Sequence, residues 1–178
     1  EEASRRTHAT AAEPVLPGMR GEIAGRHPVP AKPQLAVLCR SLHQVQAVLE
    51  EGVTSVYVEF RDVRQYAEAV SWIRAVGAQA VLATPRIQKP GEAGHFEALL
   101  RHEPDALLVR NLAGLDFCAK RSLRCVADFS LNAANELTVD YLCRHGAERV
   151  TTSYDLNREQ LLEMARHAPA AVLEVVIH

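Results

Sequence analysis

From Gln34 onward, short apolar runs rich in β-branched residues alternate with longer stretches whose apolar positions recur every three or four residues. The runs are "QLAVLC", "SVYVEF", "QAVLAT", "DALLVR", "RCVADF", "RVTTSY" and "AVLEVVIH". Such runs suit strands buried on both faces, and the three-to-four spacing between them suits amphipathic helices. "LHQVQAVLEEG", "VRQYAEAVSWIRAVG", "NELTVDYLCRHG" and "NREQLLEMARHA" show that spacing most clearly. Gly52, Gly77 and Gly146 stand where three of these helices are expected to stop. Asn157 with Gln160 three residues on has the form of a capping box opening the last helix. Strand starts fall roughly every 18–26 residues, the spacing of βα units with short loops.

Seven strands alternating with six helices predict parallel strands joined by right-handed crossovers. Two architectures meet that description: a partial (β/α)8 TIM-type barrel and an open doubly wound parallel sheet. No glycine-rich fingerprint follows a strand, which disfavours a dinucleotide-binding sheet. A closed barrel needs an eighth strand and about 250 residues, so 178 residues predict a barrel segment.

Residues 1–33 break the rhythm. They mix Pro, Gly, Ala, Arg and His without an apolar period and are expected to form a disordered linker or arm, with 34–178 as the barrel segment. The chain opens without Met and without the pattern of a secretory leader, so a processed, trimmed or incomplete piece is expected. No apolar run reaches the roughly 20 residues that span a bilayer, and a formal charge of -2 points to neither nucleic acid nor membrane. Cys39, Cys118, Cys125 and Cys143 form no C-x-x-C pair; they are expected to be reduced core cysteines of a cytoplasmic protein, with no metal bound by this chain.

Ligands of both candidate architectures bind at the carboxyl ends of the strands, and polar residues collect there. Arg40, Arg61, Arg86, Lys89 and Arg110 are expected to ring one side of the mouth, a set suited to an anionic ligand unless Glu59, Asp62, Asp128 and Asp155 pair with them. The loop "TPRIQKPGEAG" is stiffened by two prolines and carries Arg86 and Lys89. In "ADFSLNAAN", alternation puts Asp128, Ser130 and Asn132 in line to position a substrate, the competing role being to cap the next helix. Tyr154 stands at the sixth strand end. His43, His95, His102, His145 and His167 are expected on helices or loops away from the strand ends, and no residue is assigned a catalytic role. In "VLEVVIH", Glu174 and His178 share a strand face roughly 13 Å apart, too far to bind one metal without further ligands. Glu174 is expected either there or inside the barrel, paired with a strand arginine.

"TPRIQKPGE", "LLVRNLAGL", "ADFSLNAANELTVDYLCRHGAERVTTSYDLNREQLLEM" and "LEVVIH" resemble the collagenase-like peptidases of unknown catalytic type, family U32, over about 34–178. The run from Asp128 through Asn157 carries most of the likeness. The resemblance implies a peptidase acting on peptide substrates held at the strand ends. It implies as alternatives oxygen-independent hydroxylation of rRNA or tRNA bases, or a non-catalytic barrel binding an anion. In that family a cysteine segment follows the stretch like "EVVIH" and holds an iron–sulfur cluster where one has been assigned. None of the four cysteines here matches those positions, so the resemblance implies a fragment ending before that segment, with the cluster in the full-length parent. Peptide or RNA is the implied partner. Substrate contacts would fall to Arg86, Lys89, Arg110, Asp128, Ser130, Asn132, Tyr154, Glu174 and His178.

Overall fold

The strands β1 (Ala36–Cys39), β2 (Ser55–Val58), β3 (Gln79–Ala83), β4 (Ala106–Val109), β5 (Cys125–Ala127), β6 (Ala147–Thr151) and β7 (Leu173–Glu174) form one sheet in that order. Every neighbouring pair is parallel. This order carries the architecture. Right-handed crossovers that always step the same way put every helix on the same face of the sheet. The order never reverses, as a doubly wound sheet requires, so the sheet curls about its uncovered face. The result is a partial TIM-type barrel in a computed structural model that describes residues 13–24, 32–92, 94–168 and 172–177.

The curl is measured by a side-chain contact. In a flat sheet β2 and β7 would lie about 24 Å apart, five steps of ~4.8 Å. Instead, the Tyr57 hydroxyl of β2 donates to Glu174 Oε1 of β7 at 2.5 Å.

The outer layer contains α2 (Leu42–Glu50), α3 (Tyr66–Ala75), α4 (Gly94–Leu100), α5 (Leu112–Arg121), α6 (Glu136–Arg144) and α7 (Arg158–His167). Their apolar stripes meet the outward-facing strand residues; α3, for example, buries Tyr66, Ala69, Val70 and Ile73. Those residues join Val56, Val58, Leu82, Leu107, Val109 and Val150 in the main core. A second, smaller cluster fills the inside of the curl with Tyr57, Val81, Ala83, Ala106, Leu108 and Val126. Four helices open on a short polar cap directly after a strand or loop. Ser41, Asn111, Asn135 and Asn157 each accept a hydrogen bond from the amide three residues on. Asn157 and Gln160 form the complete capping box. Gly77, with φ of +74°, closes α3 in the left-handed region where a side chain would be strained.

Three expectations change. The stretch expected as an arm carries a helix, α1 (Val15–Ala24), which packs on α6 and α7. Its Ile23 is buried, and Arg20 Nε reaches Glu136 Oε1 at 2.6 Å. Pro, Gly and Arg hide its apolar period, so composition alone reads as linker. Residues 1–12 and 25–31 lie outside the described residues. The fifth strand stops at Ala127, and Phe129–Leu131 is a 3-10 turn, so Asp128, Ser130 and Asn132 are not an alternating strand face. The last strand is two residues long; Val175, Val176 and Ile177 are exposed beyond it, and His178 lies outside the described residues.

β6 holds a feature that simple alternation misses. Its register with β5 skips Glu148, so that Cys125 faces Ala147 and Val126 faces Arg149. This bulge turns Arg149 into the curl while Ala147 and Val150 stay in the outer core. No helix among the described residues is long and apolar enough to cross a membrane.

Candidate functional site at the strand ends

The carboxyl ends of β2, β4 and β5 deliver Glu59, Arg110 and Asp128 to one point. Arg110 is almost wholly buried, its side chain 3% exposed. Its Nη1 donates to Glu59 Oε1, and its Nε stands 3.5 Å from Asp128 Oδ2. Arg40 Nε donates to Glu59 Oε2 at 3.2 Å. Burial opposes the guanidinium charge of Arg110, and the Glu59 hydrogen bond and the Asp128 charge outweigh it, so its pKa is raised. Glu59 is pulled down to about 2, chiefly by the hydrogen bond from Arg110 and then by Arg40. The backbone here is tied as well: Arg110 N donates to Thr84 Oγ1 and Ser130 Oγ donates to Arg110 O. Nη2 of Arg110 is buried and has no hydrogen-bond partner among the described residues.

Deeper in the curl lies a second polar set. Glu174 accepts from Tyr57 and, through Oε2, from Thr151 Oγ1 at 3.1 Å. Arg149 Nε lies 2.9 Å from Glu174 Oε1 as an ion pair, and its Nη2 donates to the Tyr57 hydroxyl at 3.3 Å. Burial raises the Tyr57 pKa, and the Glu174 carboxylate raises it further, so the phenol keeps its proton as a donor. The strand arginine facing Glu174 is thus Arg149.

Beside Arg110 opens a cavity of about 610 Å³, within the range of small-molecule and short-peptide sites. Its floor is Ala83, Thr84 and Arg110, and one wall is Phe60, Val63 and Tyr66. His95, Ala98 and Leu99 of α4 and His102 just after it also line the cavity, with Arg64, Arg86 and Arg101. Tyr66 is held in place by its hydroxyl, which accepts from Phe60 N at 3.0 Å, and by ring contacts with Phe60 and His102. The loop bearing Arg86 is fixed by Asn111, whose Nδ2 donates to Pro85 O at 3.0 Å.

The nine residues expected to contact substrate separate into groups. Arg110 and Asp128 are buried together at the strand ends, and Ser130 supports them through the Arg110 carbonyl. Arg86 lines the cavity and stacks its guanidinium 4.9 Å from the centre of the Phe129 ring, which in turn meets Tyr154 edge-on. Lys89 is exposed, and its amide donates to Glu92 within the same loop. Asn132 is an exposed left-handed turn residue at φ +52°. Glu174 belongs to the inner set, away from the cavity lining.

His95 and His102, expected away from the strand ends, line the same cavity as Ala83 and Thr84 at the end of β3. The sequence pattern gave no sign of Val63, Tyr66 and Arg101 as lining residues. Their one visible signal was the Tyr66–Ala69–Val70–Ile73 stripe, which marks a buried helix face and not a cavity. Among the described residues no histidine is hydrogen-bonded to a hydroxyl or thiol side chain. Burial pushes the Cys39 and Cys143 thiols up to about 11, which keeps them protonated and poorly nucleophilic.

No protein-family model matches the chain, and neither does any curated protein. Among solved structures, the U32 peptidase Mk0906 matches with a TM-score of 0.63, over 84% of this chain and 71% of that one, at 15% identity. The fold is U32-like. The iron–sulfur cluster that such a family implies does not fit the residues present. Among the described residues no group of three or more His, Cys, Asp or Glu could hold a metal. Cys39, Cys118 and Cys125 are instead buried as free thiols in the outer core, and Cys143 lies half-buried against it.

Proposed function

We propose that this chain is the substrate-holding barrel of a U32-type peptidase and that it takes a peptide into the cavity beside Arg110. The observation that carries this reading is the cavity itself. It lies at the carboxyl ends of β2, β3 and β4, where parallel barrels bind their ligands, and its walls are largely apolar and aromatic. The U32-like fold supports the same class. The described residues hold and orient: Phe60, Tyr66 and Leu99 offer apolar contact, while Arg110 and Thr84 form a polar floor fixed by its own hydrogen bonds. Hydrolysis needs an activated nucleophile or a metal-bound water, and no residue here is assigned that step.

The test is calorimetric titration of the full chain with short peptides released from gelatin, beside a peptide-release assay on gelatin. Saturable binding is expected, and Ala98→Trp, which fills the cavity without touching a charge, should abolish it. No binding at millimolar peptide would overturn the proposal.

A second reading has one observation in its favour. Arg86 lies over the Phe129 ring and Tyr154 meets that ring edge-on while 63% exposed, and exposed aromatic and arginine groups of this kind hold unpaired bases in RNA. Under this reading, single-stranded RNA binds with a strong salt dependence and Tyr154→Ala weakens it. Binding unchanged by Tyr154→Ala would remove it.

A further inference from the structure

Resting on the peptide reading, we propose that the cavity recognises the free C-terminal end of a peptide whose last residue is large and apolar. The charge of the cavity is lopsided. Four arginines border it against one carboxylate, Glu59. Two of the four are already paired: Arg110 with Glu59 and Asp128, and Arg64 with Asp62 at 2.8 Å. The other two are not. Among the described residues neither Arg86 nor Arg101 has an ion pair, and both are exposed at the cavity rim.

Their placement suits an anion. Arg86 lays one face on the Phe129 ring, which leaves the edge donors of its guanidinium free. Its backbone is anchored because Asn111 Nδ2 reaches both Pro85 O and Arg86 O. Arg101, the residue directly after α4, borders the same cavity. The same lining carries Phe60, Val63, Tyr66 and Leu99, so the two cations share the cavity with an apolar surface. A ligand that fits must therefore carry its negative charge within a few bonds of an apolar body. The α-carboxylate of a terminal Phe or Leu has that form, since charge and side chain share one carbon atom. The volume of about 610 Å³ leaves room for the preceding residue as well. An acidic side chain could offer the same carboxylate, but on a polar stem that the walls would not match.

Three acetylated dipeptides separate these cases: Leu-Phe as free acid, Leu-Phe amide, and Glu-Phe amide, each titrated into the full chain by calorimetry. The free acid is expected to bind at least about tenfold more tightly than either amide, the size of a lost charge-assisted hydrogen bond. Arg86→Ala and Arg101→Ala are exposed changes that should leave the unfolding curve in place and remove that preference. Equal binding of acid and amide would overturn the terminal-carboxylate inference while leaving the peptide reading standing. Recovery of full affinity by Glu-Phe amide would assign the rim to acidic side chains and overturn it too. Binding by none of the three would bring down both.

Discussion

Arg110 is a cation at a mouth where cations invite ligands, yet its energetics are those of a core residue. Breaking a buried ion pair from one side leaves the partner charge stranded, at a cost of about 3 kcal/mol or more. Asp128, itself buried, would be left in that position by Arg110→Ala. We expect that variant to lose about 3 kcal/mol in urea denaturation, which makes Arg86 and Arg101 the better probes of binding. Glu59 makes a separate, pH-dependent contribution. Its pKa is about 2 in the folded chain against an ordinary 4.5. A depressed pKa contributes stability above the unfolded value that is lost as pH falls through the folded one. Stability should therefore fall between about pH 4.5 and 2, and Glu59→Gln should flatten that slope in denaturation curves taken at stepped pH. A slope unchanged by the substitution would mean other carboxylates dominate it. The polar residues at the mouth were legible in the sequence. Which of them spend their charge on each other was not, because Glu59, Arg110 and Asp128 come from three strands and meet only in space.

At the scale of elements, the start of α7 at Asn157 was readable, because a cap is a local hydrogen bond that needs only its own few residues. Asn157 and Asn111 use the same bond, but Asn111 also ties down the Pro85–Arg86 backbone. We expect Asn157→Ala to cost about 1 kcal/mol and Asn111→Ala about 2. Thermal unfolding of the two variants compares them, and equal losses would mean the tether to the loop adds nothing. Strand ends were less readable. "ADFSLNAAN" continues the polar alternation of a strand, yet Asp128 caps a 3-10 turn by accepting from Ser130 N at 3.4 Å. In β6 one extra residue reverses which side chains face inward, and alternation cannot show a bulge because the skipped Glu148 looks like any exposed position. α1 was hidden for a different reason. Its helix is held by α6 and α7, a tertiary support that its own composition does not announce.

For the whole molecule, the curl is held from inside by Tyr57, Arg149, Thr151 and Glu174 as well as by the apolar inner cluster. Tyr57→Phe removes one donor from a carboxylate that keeps Thr151 and Arg149. It should cost roughly 1.5–3 kcal/mol, the range for a hydrogen bond to a charged group. Urea denaturation measures it; a loss below 0.5 kcal/mol would be that of an ordinary surface substitution, and the curl would then rest on apolar packing.

By itself, the order of apolar runs determined the parallel βα architecture, the capped start of α7 and the polar character of the strand ends. These follow from periods and short-range bonds, which a linear chain carries in full. The strand order, the inward turn of Arg149 and the cavity that His95, His102, Phe60 and Tyr66 line at the strand ends were decided only by the tertiary structure. The reason is geometric: a cavity is the space left between elements far apart in the chain, and no local pattern records that space.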